Sequence, residues 1–335
     1  MPELMKPVNP ARGIIEITVV MPVLNERPML EETYRRVKGV LAGLAIESEI
    51  LFVDDGSTDG STELLHELAL RDSSVHVVVL SRNFGQQAAL SAGLEFALGH
   101  AVVLIDADMQ DPPELIPTMV AEWRKGFHVV YARRAERKGE SLFKRITAAV
   151  FYRLWRLAAG GRTPIDAGDF KLLDRKVVEA LKKCPERSRF MRGLVSWAGF
   201  REKAVEYVRE ARPAGETKYS IWKMTRLSID AILASSRAPL RIGTWIGAIL
   251  TTIAILKRLF ENRDSRLREP ISASTVFFLH GLGMFCQGIL GEYLARIHLE
   301  TQGRPLYLVS DVWGKGTGAH AHHRRGRSSH SLPGK

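Results

Sequence analysis

Cysteine is nearly absent. Cys184 and Cys286 are the only two in 335 residues. They stand far apart, and the second lies in an apolar run, so a disulfide framework is excluded and a reducing, cytoplasmic setting is natural. Acidic residues are also short: 37 Asp and Glu face 48 Lys and Arg, a net charge of +11. That balance favours anionic partners, whether nucleic acid, phosphorylated ligands or lipid headgroups. No glycine-rich phosphate loop of the Walker or dinucleotide type occurs, so phosphates must be neutralised by side chains and metal. Residues 1–12 have no apolar core of signal-peptide type. Long uncharged runs are missing from the first two thirds, and the mean hydropathy is −0.06, which excludes a polytopic transporter. What remains is ordinary for a folded chain, with 45% hydrophobic and 25% charged residues. The length allows one large domain or two smaller ones with a sizeable core.

Apolar, β-branched runs at 14–21, 50–53, 75–80, 101–105 and 129–131 alternate with helix-like stretches near 29–44, 60–70, 86–98 and 113–125. Short runs apolar on both faces, separated by helices, predict a parallel sheet covered on both sides. Asp59 or Ser61 is placed to cap the second helix, and Pro112 and Pro113 open the fourth. A basic stretch follows at 133–145, then an amphipathic segment at 143–157 that reads either as a helix on the core or as one near an anionic surface. Residues 218–236 mix apolar and basic side chains again. Two uncharged runs then follow, 242–256 and 271–291. At about 1.5 Å per residue the second reaches about 31 Å, roughly one hydrocarbon core, and the first only about 22 Å. Spanning helices are expected here; buried or re-entrant helices are the alternative. The link at 257–270 holds five basic residues, which opposes placing it outside. The tail from Gly314 is rich in Gly, Ser, His and Arg and reads as a basic, disordered end.

Three strand ends carry polar residues. Pro22, Asn25 and Glu26 end the first run. Asp54 and Asp55 end the second, followed by Gly56, which permits a tight turn. Asp106 and Asp108 end the fourth, with Gln110 and Asp111 beyond them. Ligands of open α/β sheets bind at the carboxyl ends of the strands. Carboxylates there can accept from a base N–H or ribose hydroxyls, although an Asx turn and helix cap explains Asp54 and Asp55 as well. An Asp-x-Asp pair places hard oxygen ligands together, which suits Mg²⁺ or Mn²⁺ held partly by substrate phosphates, with Gln110 adding a carbonyl oxygen.

Six motifs fall in a shared order: residues 22–26, 54–59, 81–85, 106–113, 168–172 and 215–219. In that order the chain resembles the polyprenyl-phosphate glycosyltransferases of glycosyltransferase family 2, a group that includes dolichol-phosphate mannose synthases and bactoprenol glucosyltransferases. The resemblance covers roughly residues 14–310, including the ending Gly291, Glu292, Tyr293 and later Arg304 and Pro305. It implies a GT-A fold of α/β class with a mostly parallel central sheet, plus C-terminal membrane helices. It implies divisions at 1–13 for an N-terminal extension, 14–217 for the catalytic domain, 218–238 for a juxtamembrane amphipathic helix, 239–298 for a transmembrane hairpin and 299–335 for a C-terminal segment and tail. It further implies a multi-pass protein of the inner (plasma) membrane with a cytoplasmic catalytic domain.

The implied reaction is an inverting, metal-dependent transfer of a sugar from a nucleotide-diphosphate sugar, UDP-glucose, to polyprenyl (undecaprenyl) phosphate. The product would donate sugar to cell-envelope glycans. Carried over by motif, Asp54, Asp55 and Glu26 bind base and ribose, with Pro22 and Asn25 in the same pocket. Arg82 and Asn83 line the donor site. Asp106 lies beside sugar and ribose, and Asp108 with Gln110 holds Mg²⁺ or Mn²⁺ on the diphosphate. Arg133, Lys171 and Lys218 face phosphates of donor or acceptor. Asp169 is a base, a positioning group for Lys171, Arg133 or the metal, or a structural residue; an anionic acceptor needs little help from a base. Two positions depart from the family: Leu24 replaces an aromatic residue, and Lys171 replaces an arginine, which turns a bidentate fork into a point charge. Partners are thus the nucleotide sugar, the lipid phosphate and the membrane, with no nucleic acid and a homo-oligomer left open. Competing readings are a mannosyl- or aminoarabinosyl-transferase to lipid phosphate, or a scaffold without activity; Asp108 and the uncharged runs speak against the scaffold.

Overall fold

A computed structural model describes residues 15–134, 167–187, 189–207, 238–260 and 273–314. Lys218, the 215–219 motif, the 143–157 segment, the link at 261–270 and the tail beyond Gly314 lie outside the described residues.

The short apolar runs form strands because each is buried on both faces, where alternation is not needed. They are β1 (Ile17–Val23), β2 (Ser48–Asp54), β3 (Val75–Leu80) and β4 (Ala101–Leu104). β5 (Val129–Arg134), β6 (Ala167–Asp174), β7 (Glu202–Tyr207) and β8 (Val309–Trp313) complete one eight-stranded sheet. Its order is β7-β5-β6-β4-β1-β2-β3-β8. The central four strands are parallel. β6 runs antiparallel between β4 and β5, β7 pairs parallel with β5, and β8 runs antiparallel along β3. The sheet is therefore mixed. The expected parallel set is its centre, and β6 and β8 enter from later in the chain.

Helices α1 (Arg27–Leu44), α2 (Ser61–Arg71) and α4 (Ile116–Arg124) cover one face of the sheet. There Leu30, Val37, Leu65 and Met119 pack on Met21, Phe52, Val77 and Val103. Helices α3 (Gln86–Phe96), α5 (Arg175–Lys182) and α6 (Met191–Ala198) cover the other. There Leu90, Leu94, Val178 and Val195 pack on Val20, Val53, Val78 and Leu104. Alternate residues of each strand thus serve opposite layers. Close approach sets Gly93: a Cβ on it would fall 2.2 Å from Val20 Cγ1, so α3 lies on β1 at a distance only glycine allows.

The second helix opens on Gly60 rather than on a side-chain cap. Asp59 instead accepts from Ser61 N–H at 3.0 Å and Arg27 N–H at 3.1 Å, tying the starts of α1 and α2 together. Pro113 begins a short 3₁₀ turn ahead of α4.

Helices α7 (Ala238–Phe260) and α8 (Ala273–Thr301) follow. Among the described residues no helix is long and apolar enough to cross a membrane. This corrects the expectation of a transmembrane hairpin at 239–298, and with it the C-terminal membrane helices and the multi-pass location in the inner membrane. The uncharged run of α7 is bracketed by Arg241 and Lys257 and is short of a hydrocarbon core, while His280 and Gln287 interrupt the apolar run of α8. The chain then returns to the sheet. Ser81 N–H donates to Leu308 O at 2.9 Å, and β8 pairs with β3 from Val309 onward.

Candidate active site

The carboxyl ends of the parallel strands lie side by side, and the loops leaving them are stitched to one another. Asn25 takes a left-handed backbone, φ 57°. Its N–H donates to Ser57 Oγ at 3.0 Å, and its Oδ1 accepts from Thr58 N–H at 2.7 Å. Glu26 N–H donates to Ser61 Oγ at 3.2 Å. The loop after β1 therefore rests on the loop after β2, and Asn25 works as the clasp. Pro22 pairs with Val53 within the sheet just below.

Asp54 is fully buried. Its Oδ1 accepts from Ser57 N–H at 3.0 Å and its Oδ2 from Thr62 O–H at 2.5 Å. Asp55 accepts from the N–H groups of Phe84 at 2.7 Å and Gly85 at 2.9 Å. Burial raises its pKa, and the two N–H donors only partly offset that. Both carboxylates expected at base and ribose are thus engaged in shaping the loops after β2 and β3. Gly56 makes the crossing possible: its φ is 75°, and a Cβ there would lie 2.6 Å from Arg82 C. The loop held this way presents Arg82 and Asn83 outward, and both are exposed. The Arg82 guanidinium stands 4.1 Å above the Phe84 ring and donates to Asn83 O at 2.9 Å.

The densest charge lies after β4. Leu104 pairs with Lys171 on antiparallel β6, so extending the register by two residues sets Asp106 opposite Asp169. Gln86 Nε2–H donates to Asp106 Oδ1 at 2.8 Å. Even so, the pKa of Asp106 is pushed up to about 7, first by burial and then by the charges of Asp169, Asp108 and Asp111. Asp108 accepts from Gln110 N–H at 3.1 Å, across a turn in which Met109 adopts φ 58°. Asp111 is buried and accepts from the Tyr207 hydroxyl.

Asp169 is held by a fork: Arg192 Nε and Nη2 donate to its two oxygens at 2.8 and 2.7 Å. Such a bidentate, charge-assisted pair fixes the plane of the carboxylate. Lys171 is 3% exposed, in the layer beneath. Desolvation lowers its pKa to about 8 against the pull of Asp169. Its depth places it under the site rather than on an open phosphate path. Arg133, ion-paired to Glu206, lies near the carboxyl end of β5, where it pairs with Ala167 of β6, two residues before Asp169. The structure therefore gathers Asp106, Asp108, Gln110 and Asp169 and adds Arg82 and Asn83 beside them, with Arg133 on the strand next to β6.

Arg192, Gln86 and Tyr207 were invisible as site residues in the sequence. Arg192 lies 23 residues from Asp169, in a segment read neither as a strand nor as a motif. β6 was not among the expected strands, although Asp169 and Lys171 alternate with Phe170 and Leu172, a period of two that could have marked it.

Among the described residues no three His, Cys, Asp or Glu side chains form a ready metal cage. The cluster nonetheless fits a divalent cation. Its mutual repulsion, visible in the raised pKa of Asp106, is what such a charge relieves, and hard cations bound with substrate phosphates need only one or two carboxylates from the protein.

Residues 18–182 match the family model for glycosyl transferase family 2. The uncharacterized glycosyltransferase YkcC of Bacillus subtilis is 45% identical over 308 residues, covering 90% of this chain and 95% of that one. The chain belongs to glycosyltransferase family 2. The uncharacterized glycosyltransferase sll0501 of Synechocystis is 42% identical, covering 90% of this chain and 96% of that one. The bactoprenol glucosyl transferase of Shigella phage SfX is 38% identical over 301 residues, or 88% of this chain and 99% of that one. The likeness to polyprenyl-phosphate glycosyltransferases therefore extends well past the residues matched by the family model.

Proposed function

We propose that this family 2 glycosyltransferase transfers a hexosyl group, glucose from UDP-glucose, to polyprenyl phosphate with inversion at the anomeric carbon. The observation that carries the reading is the crowding of Asp106, Asp108 and Asp169 at the strand ends beside the cationic loop of Arg82. Relatives named for bactoprenol glucosyl transfer, matched over nearly their whole length, support the acceptor class.

In this reading an oxygen of the acceptor phosphate attacks the anomeric carbon. A new C–O bond forms there as the bond to the diphosphate breaks, and the nucleoside diphosphate leaves with the electron pair. Asp108 and Gln110 hold Mg²⁺ or Mn²⁺; when bound, it supplies countercharge for the leaving diphosphate. Arg82 and Asn83 orient the donor from the loop that Asp55 shapes. Asp106 meets the sugar side of the donor. Asp169 cannot drift, because Arg192 clamps it, and it positions the reacting groups. The acceptor is already an anion near neutral pH, so no proton need be removed for it to attack. Asp54, Asp55, Asn25 and Glu26 build the floor and walls of the nucleotide pocket. Lys171 lends positive potential from below.

The test is a panel of nucleotide sugars offered with polyprenyl phosphate and a divalent cation. UDP-glucose should yield a lipid-linked glucosyl phosphate whose anomeric configuration is opposite to that of the donor. Transfer of mannose or aminoarabinose instead would move the chain to another branch of the family. No lipid product from any donor would defeat the reading.

A further inference from the structure

A second cationic site lies on the same end of the sheet. Residues 185–189, between α5 and α6, face residues 303–306, between α8 and β8, across a cleft of about 410 Å³. Arg187, Arg189 and Arg304 line it, with Glu186 as the carboxylate among its described lining residues. Guanidinium groups stay charged at any working pH, so the three repel one another across this small volume.

Several other described arginines are neutralised by carboxylates. Arg35, Arg36, Arg71, Arg124, Arg133 and Arg192 each hold a carboxylate. The side chains of Arg187 and Arg304 make no hydrogen bond or ion pair among the described residues. Both walls are fixed all the same. Arg189 donates through Nε to Glu186 O at 3.1 Å and through Nη2 to Cys184 O at 2.7 Å, so main-chain carbonyls aim its guanidinium without neutralising it. Arg187 N–H donates to Glu300 Oε1 on α8 at 2.9 Å, which joins the two walls. Three guanidinium groups in a concave setting, one of them aimed by main-chain carbonyls, outnumber the carboxylates beside them, which is how proteins prepare a phosphate site.

The cleft also connects to the chemistry. One wall runs directly into α6, where Met191 N–H donates to Gln87 Oε1 at 2.7 Å and Arg192 clamps Asp169. The preceding residue, Gln86, donates to Asp106. The other wall runs through Leu308 to Ser81, at the start of the loop that carries Arg82 and Asn83.

We propose that the cleft between residues 185–189 and 303–306 is a phosphate-monoester subsite, built by Arg187, Arg189 and Arg304 and separate from the donor site, which takes the phosphate of the acceptor as it approaches Asp169. The assignment of that phosphate to the acceptor rests on the glycosyl-transfer reading above; the site itself does not. The shared chemistry is a doubly ionisable phosphate, carried on a prenyl chain or free in solution. Three guanidinium donors match its oxygens.

The full chain is titrated calorimetrically with farnesyl phosphate and, separately, with inorganic phosphate, in native form and as the Arg187→Gln/Arg304→Gln double variant. Farnesyl phosphate should bind the native protein and bind the double variant at least about tenfold more weakly, as expected when two charge-assisted partners are lost. Equal native affinity for the two probes, both weakened in the variant, upholds the site and makes the free ion its sufficient ligand. Glu186→Gln, which removes a competing carboxylate from the lining, should tighten both probes. Absence of binding by the native protein, or unchanged binding by the double variant, overturns the site. Sugar transfer from UDP-glucose is followed in parallel. A protein that binds phosphate through these arginines but transfers nothing keeps the site and rejects the transfer reading. One that transfers glucose with the same acceptor KM in the double variant keeps the reading and rejects the site.

Discussion

The two ends of the central strands are both polar, yet they are organised in opposite ways. At the amino end, Glu49 is buried, and its Oε1 accepts from Thr18 O–H at 2.6 Å and Leu98 N–H at 2.8 Å. Gly99 N–H donates to Thr18 Oγ1 at 2.7 Å. Arg175 closes the same loop by donating to Gly99 O and Ala97 O, each at 2.9 Å. Donors and acceptors alternate there, and each charge meets partners of the other polarity. At the carboxyl end, Asp106, Asp108, Asp111 and Asp169 crowd together, and burial and mutual repulsion raise the pKa of Asp106 to about 7. At the amino end Glu49, Thr18 and Arg175 find their partners within the protein. At the carboxyl end Asp106 still faces the charges of Asp169, Asp108 and Asp111. Unrelieved charge of this kind marks a site rather than a scaffold.

The sharpest way to test this contrast is to change one residue at each end. Asp108→Asn should lower turnover by about 10²–10³-fold or more while leaving the melting temperature unchanged, since a charge aimed at the leaving group is lost and no packing is. Rates with and without EDTA, set beside thermal unfolding, check it. A variant with native turnover would remove Asp108 from the chemistry.

At the other end the outcome should reverse. Glu49→Leu strands the buried Thr18 hydroxyl and Leu98 N–H without their acceptor, at a cost of about 2–4 kcal/mol in stability. Molecules that remain folded should keep their kcat. Denaturant unfolding and activity on the same sample decide it, and a neutral effect on stability would show that the network contributes little.

A smaller effect should appear in the pH dependence of folding. The folded pKa of Asp106 lies above its ordinary value of 3.8, at about 7. The folded state therefore binds more protons than the unfolded state between those values. Its contribution to stability is fully present below pH about 4 and is lost as pH rises through about 7. Asp106→Asn should flatten that decline and melt higher than the native protein at pH 8. A bound divalent cation should do the same to the native chain. Parallel pH profiles for variant and native protein would show that the carboxylate carries no such strain.

The central architecture was legible because burial on both faces leaves an unmistakable pattern. The run expected at 75–80 is β3 to the residue, and those at 50–53 and 101–105 fall within one or two residues of β2 and β4. The acidic strand ends were legible for the same reason, since a polar residue that ends a buried apolar run must lie at a strand terminus. Edge pairing was not. β8 is five residues of mixed type, far along the chain from β3, and nothing local says which edge it joins. The C-terminal runs misled because a length of uncharged sequence is only one condition for crossing a membrane. Here the uncharged run of α7, between Arg241 and Lys257, falls short in length, and α8 carries polar residues through its middle.

Residue type and order were enough to point to the family, the sheet centre and the acidic strand ends. They could not say which carboxylates remain open to a ligand. Asp54 and Asp55 look as available as Asp106, but that pair meets N–H and O–H donors of its own loops, while Asp106, though it accepts from Gln86, faces the charges of Asp169, Asp108 and Asp111. Arg192 reaches Asp169 only because β6 and α6 fold back to the same end of the sheet. The difference is one of distance. Hydrogen bonds and Coulomb interactions act over a few ångströms, and residues far apart in the chain come that close only through packing.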